Sequence, residues 1–372
     1  MKILLFFCGI FISFSQEFND MVFAINESEP IILKLENYKL NRDIAQFVLT
    51  GDLAFFKSRN NEYQIGYFKG NATFALKPPG QIEQEQLQRY YQVTEIQTTF
   101  SEMFFITLDN TFNEMSTQSK SSISAADMKS EMSTIYAEFK QSTHHSLFLK
   151  DFLENNKNGS FASLFSTTRF DELYFDIFMS EDEEIRLSKI KKAGTLLGKD
   201  YVWPEIMTQF NKKSDFDSYL DPNSELTEKT LVIDGHQIDA KIADNYEFSA
   251  KTVSHFTPQK PQKWIPLSLY YDIEIDSVID NKQRALNIYR NEDFYGFWIE
   301  LKEEINEPFD LTFYYHCEAL RRYGNYIYLW DATGWYPTFS SREYSTFDIH
   351  YQFPNEHFFA SVGDLISFKK MD

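Results

Sequence analysis

Cysteine is nearly absent: Cys8 and Cys317 are the two in 372 residues. Cys8 lies in an apolar leader, so after leader cleavage no internal disulfide can form, and the core alone must hold the fold. Glycine (13) and proline (11) are sparse, which excludes collagen-like, linker-like and disordered chains. Beyond the leader, no apolar run approaches the ~20 residues that a membrane-spanning helix needs. Basic residues are in deficit, 36 Lys and Arg against 55 Asp and Glu, a formal charge of −19. Nucleic acid and anionic membranes repel such a chain, so neither is expected as a partner.

Aromatics are abundant, with 37 Phe and 22 Tyr. With Ile and Val they favour pleated, half-buried strands. Residues 1–16 read as a secretory signal peptide: Lys2 supplies the positive start, residues 3–12 an apolar run too short to span, and Ser13, Ser15 and Gln16 a small, polar end. Cys8 follows Phe7 rather than a small residue, which argues against a lipoprotein. The mature chain is expected to be exported, periplasmic or extracellular, with no integral membrane segment.

Hydropathy patterning divides the rest. Residues 20–115 read as an N-terminal β-domain of short strands separated by turn signals at Gly51-Asp52, Asn60-Asn61 and Gly70-Asn71. Residues 120–225 read as a partly helical linking region. A Ser-rich linker (116–124) leads into it, then Met128, Met132, Ile135, Tyr136 and Phe139 line one helical face, and a second helix is expected over 147–154. The segment 161–219 gives mixed signals and reads as a partly helical bridge. Residues 226–368 return to period two. Asp234-Gly235 predicts a hairpin turn, and Leu267, Leu269, Tyr271, Ile273 and Ile275 predict one long half-buried strand. Phe309 to Tyr315 and Phe347 to Phe353 alternate likewise. The expected fold class is mainly β with a helical middle segment, the last third being an antiparallel β-sandwich.

The end of the chain carries three motifs in order: Gly334-Trp335-Tyr336-Pro337, an "FD-x-x-x-x-x-P" strand from Phe347-Asp348 to Pro354, and Ala360-Ser361-Val362-Gly363-Asp364. In this order they resemble the N-terminal, non-catalytic domain of M1-family zinc aminopeptidases. The segment 70–80, with Glu83, Glu85 and Leu87, resembles an extra β-domain that precedes this module in some secreted bacterial relatives. The resemblance implies a saddle or sandwich that packs against a thermolysin-like domain. The family's chemistry needs H-E-x-x-H, two imidazoles one helical turn apart with a Glu to activate zinc-bound water. It also needs a Gly-x-Met-x-Asn strand that holds the peptide's amino end. Neither motif occurs here. The seven histidines are His144, His145, His236, His255, His316, His350 and His357, and none is four residues from another. No catalytic, cofactor-binding or metal-binding residue is therefore assigned and no cofactor is expected.

Other chemistry reads as structural. His144-His145 are adjacent and diverge on a helix. In His316-Cys317-Glu318, strand alternation sends His316 and Glu318 to one face and Cys317 to the core. Asp272, Glu274 and Asp276 share a strand face but lack a calcium loop. Residues 194–200 imitate a phosphate loop one residue short, with Asp200 where Ser or Thr would hold magnesium. Trp335 and Tyr336 read as packing residues of a turn fixed by Pro337. The Asn71-Ala72-Thr73 sequon is given no weight.

The chain is thus expected to be a non-catalytic exported binding or scaffold protein, or the front fragment of a longer M1-type metallo-aminopeptidase. The alternative is a hydrolase whose carboxylates sit between the β-domains. Phe358, Phe359, Ile366 and Phe368 crowd the last segment, so a protein or peptide partner is expected at the C-terminal edge.

Overall fold

The computed structural model describes residues 22–142, 146–179, 183–196, 199–213, 231–270, 272–290, 296–318, 322–323, 326–327, 329, 334–339, 345–354, 360 and 363–369. These fall into two compact units that divide between Glu228 and Lys229. Residues 1–16, read above as a signal peptide, and His144-His145 lie outside the described residues.

The first unit is built on one eight-stranded sheet in which each strand pairs antiparallel with the next. Its strands are β1 (Ile31–Arg42), β2 (Ala45–Lys57), β3 (Tyr63–Leu76), β4 (Ile96–Thr107), β5 (Phe161–Thr167), β6 (Asp171–Ile177), β7 (Ile185–Leu196) and β8 (Lys199–Phe210). Among the described residues four helices are inserted between its strands: α1 (Gln81–Tyr91), α2 (Thr111–Met115), α3 (Ala125–Ser142) and α4 (Ser146–Leu153).

Two expectations for this half are corrected. Gly51-Asp52 and Gly70-Asn71 are not turns: Gly51 pairs with Gly70 inside two long strands. Both adopt φ +158°, and a Cβ on Gly51 would meet Lys69 O at 2.2 Å. Glycine therefore lets two strands pass too closely for side chains, and the strands continue where breakers were read. The segment 161–219 is not a partly helical bridge either; through Phe210 it supplies four strands of the same sheet. Phe161 to Phe165 and Leu173 to Ile177 are buried at every position. Strands covered on both faces lose the period-two signature. The boundary read at 115–120 thus falls within one sheet.

The sheet is rolled. Phe47 on β2 lies 5.9 Å, ring to ring, from Phe175 on β6. Four strand spacings would separate these positions by about 19 Å in a flat sheet. Phe47 also meets Phe74, Phe100, Phe161 and Phe165 at 4.9–6.3 Å. The opposite face is covered by α3, whose Met128, Met132, Ile135 and Phe139 are buried as the 3.6-residue spacing predicts. Phe139 packs 4.8 Å from Phe104, and the Tyr136 hydroxyl donates to Phe23 O at 2.6 Å.

The second unit is a two-sheet sandwich. Its strands are β9 (Leu231–Ile242), β10 (Phe248–Pro258), β11 (Gln262–Ser268), β12 (Glu274–Asp280), β13 (Asn287–Arg290), β14 (Gly296–Ile305), β15 (Phe309–Cys317), the two-residue β16 (Arg322–Tyr323) and β17 (Tyr326–Ile327), and β18 (Thr346–Gln352). A five-stranded sheet of order β12-β15-β10-β9-β18 and a three-stranded sheet β11-β14-β13 enclose a common core that includes Ile238, Ile265, Leu267, Ile299 and Phe313.

Three details differ from the sequence reading. Asp234-Gly235 does not turn the chain; it sits inside β9, beside a register shift between His255 and Phe256 on β10. The alternation from Leu267 to Ile275 is not one strand but the end of β11 and the start of β12, which belong to different sheets. Apolar residues still alternate there because Leu267, Leu269 and Ile273 all face the one core. Arg290 fixes this crossing: its guanidinium donates to the carbonyls of Leu269 (2.8 Å), Tyr270 (2.7 Å) and Ile273. Burial pushes its pKa down to about 10 while nearby Asp272 opposes the shift. Finally, β18 pairs with β9 in parallel, so the five-stranded sheet is antiparallel except at that edge.

Candidate interaction surface

The Trp-Tyr-Pro turn seats the edge strand. Gly334 takes φ +59°, a left-handed conformation suited to glycine, and its carbonyl accepts from Tyr270 N at 2.8 Å. Thr338 and Ser268 then exchange backbone hydrogen bonds of 2.7 and 3.0 Å. So anchored, Trp335 and Tyr336 are buried as the sequence reading expects. Trp335 packs 6.2 Å from both Phe248 and Tyr351, and Tyr336 lies 5.1 Å from the His236 ring and 5.3 Å from Phe347.

His236 is the residue the sequence did not single out. It is buried, its Nδ1 is 2.9 Å from Ser254 Oγ, and its ring stacks on Phe347 at 5.1 Å. It joins the Trp-Tyr-Pro turn to the "FD" strand. Beside it, a Cβ on Gly235 would come within 2.5 Å of Thr346 Oγ1. Ser345 Oγ and Thr346 Oγ1 donate to Ile233 O (2.6 Å) and Asp234 O (3.1 Å), pinning the start of β18. His236 bears no motif of its own, and Gly235 carries the composition of a turn that the chain does not make; only the cross-strand register brings them there.

Exposed apolar side chains occur on β18 and in the segment 364–369. Phe347 remains 46% exposed, and Leu365, Ile366 and Phe368 are 80%, 91% and 71% exposed. Ile349 and Tyr351 are half-buried at the margin of the core. Phe358 and Phe359, named with Ile366 and Phe368 above, lie outside the described residues.

The remaining polar candidates stay separate. His316 Nδ1 is 2.9 Å from Asp276 and its Nε2 3.7 Å from Glu274. Cys317 is buried on the opposite side of the strand, as alternation predicts. His255 lies 2.6 Å from Asp310, and His350 lies 3.6 Å from Asp239. Among the described residues, no three or more His, Cys, Asp or Glu side chains converge as a metal site. The phosphate-loop look-alike falls at the β7–β8 hairpin, where Leu196 pairs with Lys199; Leu197 and Gly198 lie outside the described residues.

In the first unit, a cleft of about 650 Å³ opens at the Gly51–Gly70 crossing, lined by Lys34, Asp52, Lys69, Asn71 and Glu131 among others. Lys34 pairs with Asp52 at 3.1 Å and Lys69 with Glu131 at 2.7 Å, while Ser121 Oγ donates to Asp52 at 2.6 Å. Four of its five charged side chains are thus paired with one another and the fifth, Glu36, is exposed, while the crossing itself accounts for the glycines.

No family model and no curated protein matches the sequence. Among solved structures, the chain is similar to an M1 zinc metallopeptidase from Deinococcus radiodurans bound to a Tyr-Ser-Ala substrate: 11% identity, TM-score 0.29, covering 34% of this chain and 33% of that one. It is also similar to yeast LTA4 hydrolase in complex with bestatin: 13% identity, TM-score 0.28, covering 34% of this chain and 23% of that one. The chain spans about a third or less of the length of these structures. The class defined here is a mainly antiparallel β protein with a rolled eight-stranded sheet and a two-sheet sandwich.

Proposed function

We propose that this chain is a non-catalytic, exported binding or scaffold protein, or the front part of a metallo-aminopeptidase of the M1 type, whose sandwich presents its C-terminal edge to a protein or peptide partner. Export follows from the leader in residues 1–16. The kinship follows from Trp335-Tyr336-Pro337 and Phe347-Asp348, which the fold uses together to seat one strand. The sequence holds neither H-E-x-x-H nor Gly-x-Met-x-Asn, so the peptidase chemistry has no residues here to perform it. The observations that carry the binding role are the exposure of Phe347 on an edge strand and of Leu365, Ile366 and Phe368 in the segment that follows it in sequence.

The test is an aminoacyl-p-nitroanilide and glycoside panel on the full chain, with and without zinc. No turnover is expected. Turnover abolished by one carboxylate substitution would replace this reading with a hydrolase. The size of the native protein, read with an antibody against the sandwich, separates the two forms: a species near this chain's mass supports the stand-alone binder, and a much larger one supports the front part of an enzyme.

A further inference from the structure

Open sheet edges invite pairing with other chains, and natural proteins blunt them with bulges, proline, charge, short strands or covering segments. Here the other edges of the three large sheets carry such devices. Strand β1 has a register shift between Leu35 and Tyr38, and the 119–121 segment bonds to Ile32 and Lys34 along it. Strand β8 contains Pro204. Strand β12 has a register shift between Ile275 and Ser277, next to exposed Glu274 and Asp276. Strand β11 contains Pro266 and a shift between Gln262 and Trp264, and β13 has only four residues. Strand β18 carries one acid, Asp348, and none of the other devices. It runs seven residues in unbroken register with β9, without proline or lysine, and its other flank carries no strand among the described residues.

We propose that this edge pairs with residues 364–369 of a second copy of the chain, forming a strand-exchanged dimer. The proposal rests on the binding role above and names its partner. Residues 364–369 belong to no strand or helix and are exposed throughout. Their alternation complements β18. Antiparallel pairing with Lys369 opposite Asp348 sets Phe368 against Ile349, Ser367 against His350 and Ile366 against Tyr351. Opposite residues share a sheet face. Ile366 and Phe368 therefore extend the apolar row of Ile349 and Tyr351 over the core margin, and Lys369 meets an opposite charge on the outer face. Moving the pairing by one residue would turn Ile366 and Phe368 away from the core.

The full chain is examined by sedimentation at micromolar concentrations, where a concentration-dependent dimer is expected. Ile366→Ser with Phe368→Ser should abolish the dimer and leave the circular dichroism unchanged, since both side chains are exposed in the single copy. Asp348→Lys should weaken association about fivefold, and adding Lys369→Asp should restore it. A mixture of His350→Cys and Ser367→Cys proteins should form a disulfide-linked heterodimer, because opposite antiparallel residues lie ~4.5–5.5 Å apart at Cα. A strictly monomeric chain, a dimer indifferent to the serine pair, or a dimer that ignores the charge swap and fails to cross-link would each overturn the proposal. A monomer that instead binds a different protein through Phe347 would also overturn it, while leaving the binding-module reading intact.

Discussion

Replacing Phe47 by alanine tests whether the rolled sheet is held by its aromatic hub. Phe47 is fully buried, and its ring meets five others contributed by four strands, β3 to β6. Truncating a buried Phe to Ala costs roughly 3–5 kcal/mol, the upper end applying where neighbours cannot collapse into the void. Rings fixed on four different strands cannot converge without unrolling the sheet, so a loss of about 4–5 kcal/mol is expected. Phe47→Leu keeps most of the volume and should cost under about 1.5 kcal/mol. The readout must be local, because Trp264, Trp298 and Trp335 lie in the sandwich and report on the wrong unit. Hydrogen exchange resolved by peptide, followed through a urea titration, reports on β2 to β6 directly. Exchange should accelerate across all five strands together. A loss below about 1 kcal/mol, or acceleration confined to β2, would show that the ring cluster does not couple the two sides of the sheet.

Gly235→Ala should push Thr346 aside, cost about 1–3 kcal/mol, and raise exchange in 346–352 while leaving 31–210 unchanged; equal protection in β18 would refute the close approach. Asp176 is fully buried and accepts from Arg186 Nε and Nη2 at 3.2 and 3.1 Å. Asp176→Ala should therefore cost about 3–5 kcal/mol in denaturant unfolding, whereas Asp176→Leu with Arg186→Met should recover most of it. Burial, reinforced by Glu102 and Glu205, raises the pKa values of Tyr67 and Tyr91 above the ordinary 10.0, and burial alone leads the rise at Tyr315. These phenols stay protonated when folded and ionise more readily when unfolded. Their stabilising effect is thus complete below pH 10 and declines as pH rises past it. Alkaline titration should show three tyrosines whose phenolate absorbance appears only with unfolding, and their free titration in the native protein would contradict the assignment.

The sequence alone determined what depends on local periodicity. The amphipathic α3, with Met128, Met132, Ile135 and Phe139 on its buried face, is legible because a helix surrounded by solvent on one side must repeat near 3.6 residues. The alternation in β15, with Phe309, Leu311, Phe313 and Tyr315 inward, is legible for the same reason at period two. Trp335 and Tyr336 were readable as packing residues, and Cys317 as a core residue, from strand alternation and turn chemistry. What failed was whatever depends on neighbours distant in sequence. Gly51 and Gly70 carry a turn's composition but serve a strand crossing, a role that exists only when one faces the other. Strands β5 and β6 are covered on both faces, so burial erased the polar half of their pattern. The parallel placement of β18 on β9, and with it the meeting of His236, Tyr336 and Phe347, joins segments about a hundred residues apart and leaves no local trace. Local rules write the elements because each residue's neighbours along the chain set its backbone preference. Which edge stays open is decided by packing between elements, and so only by the tertiary structure.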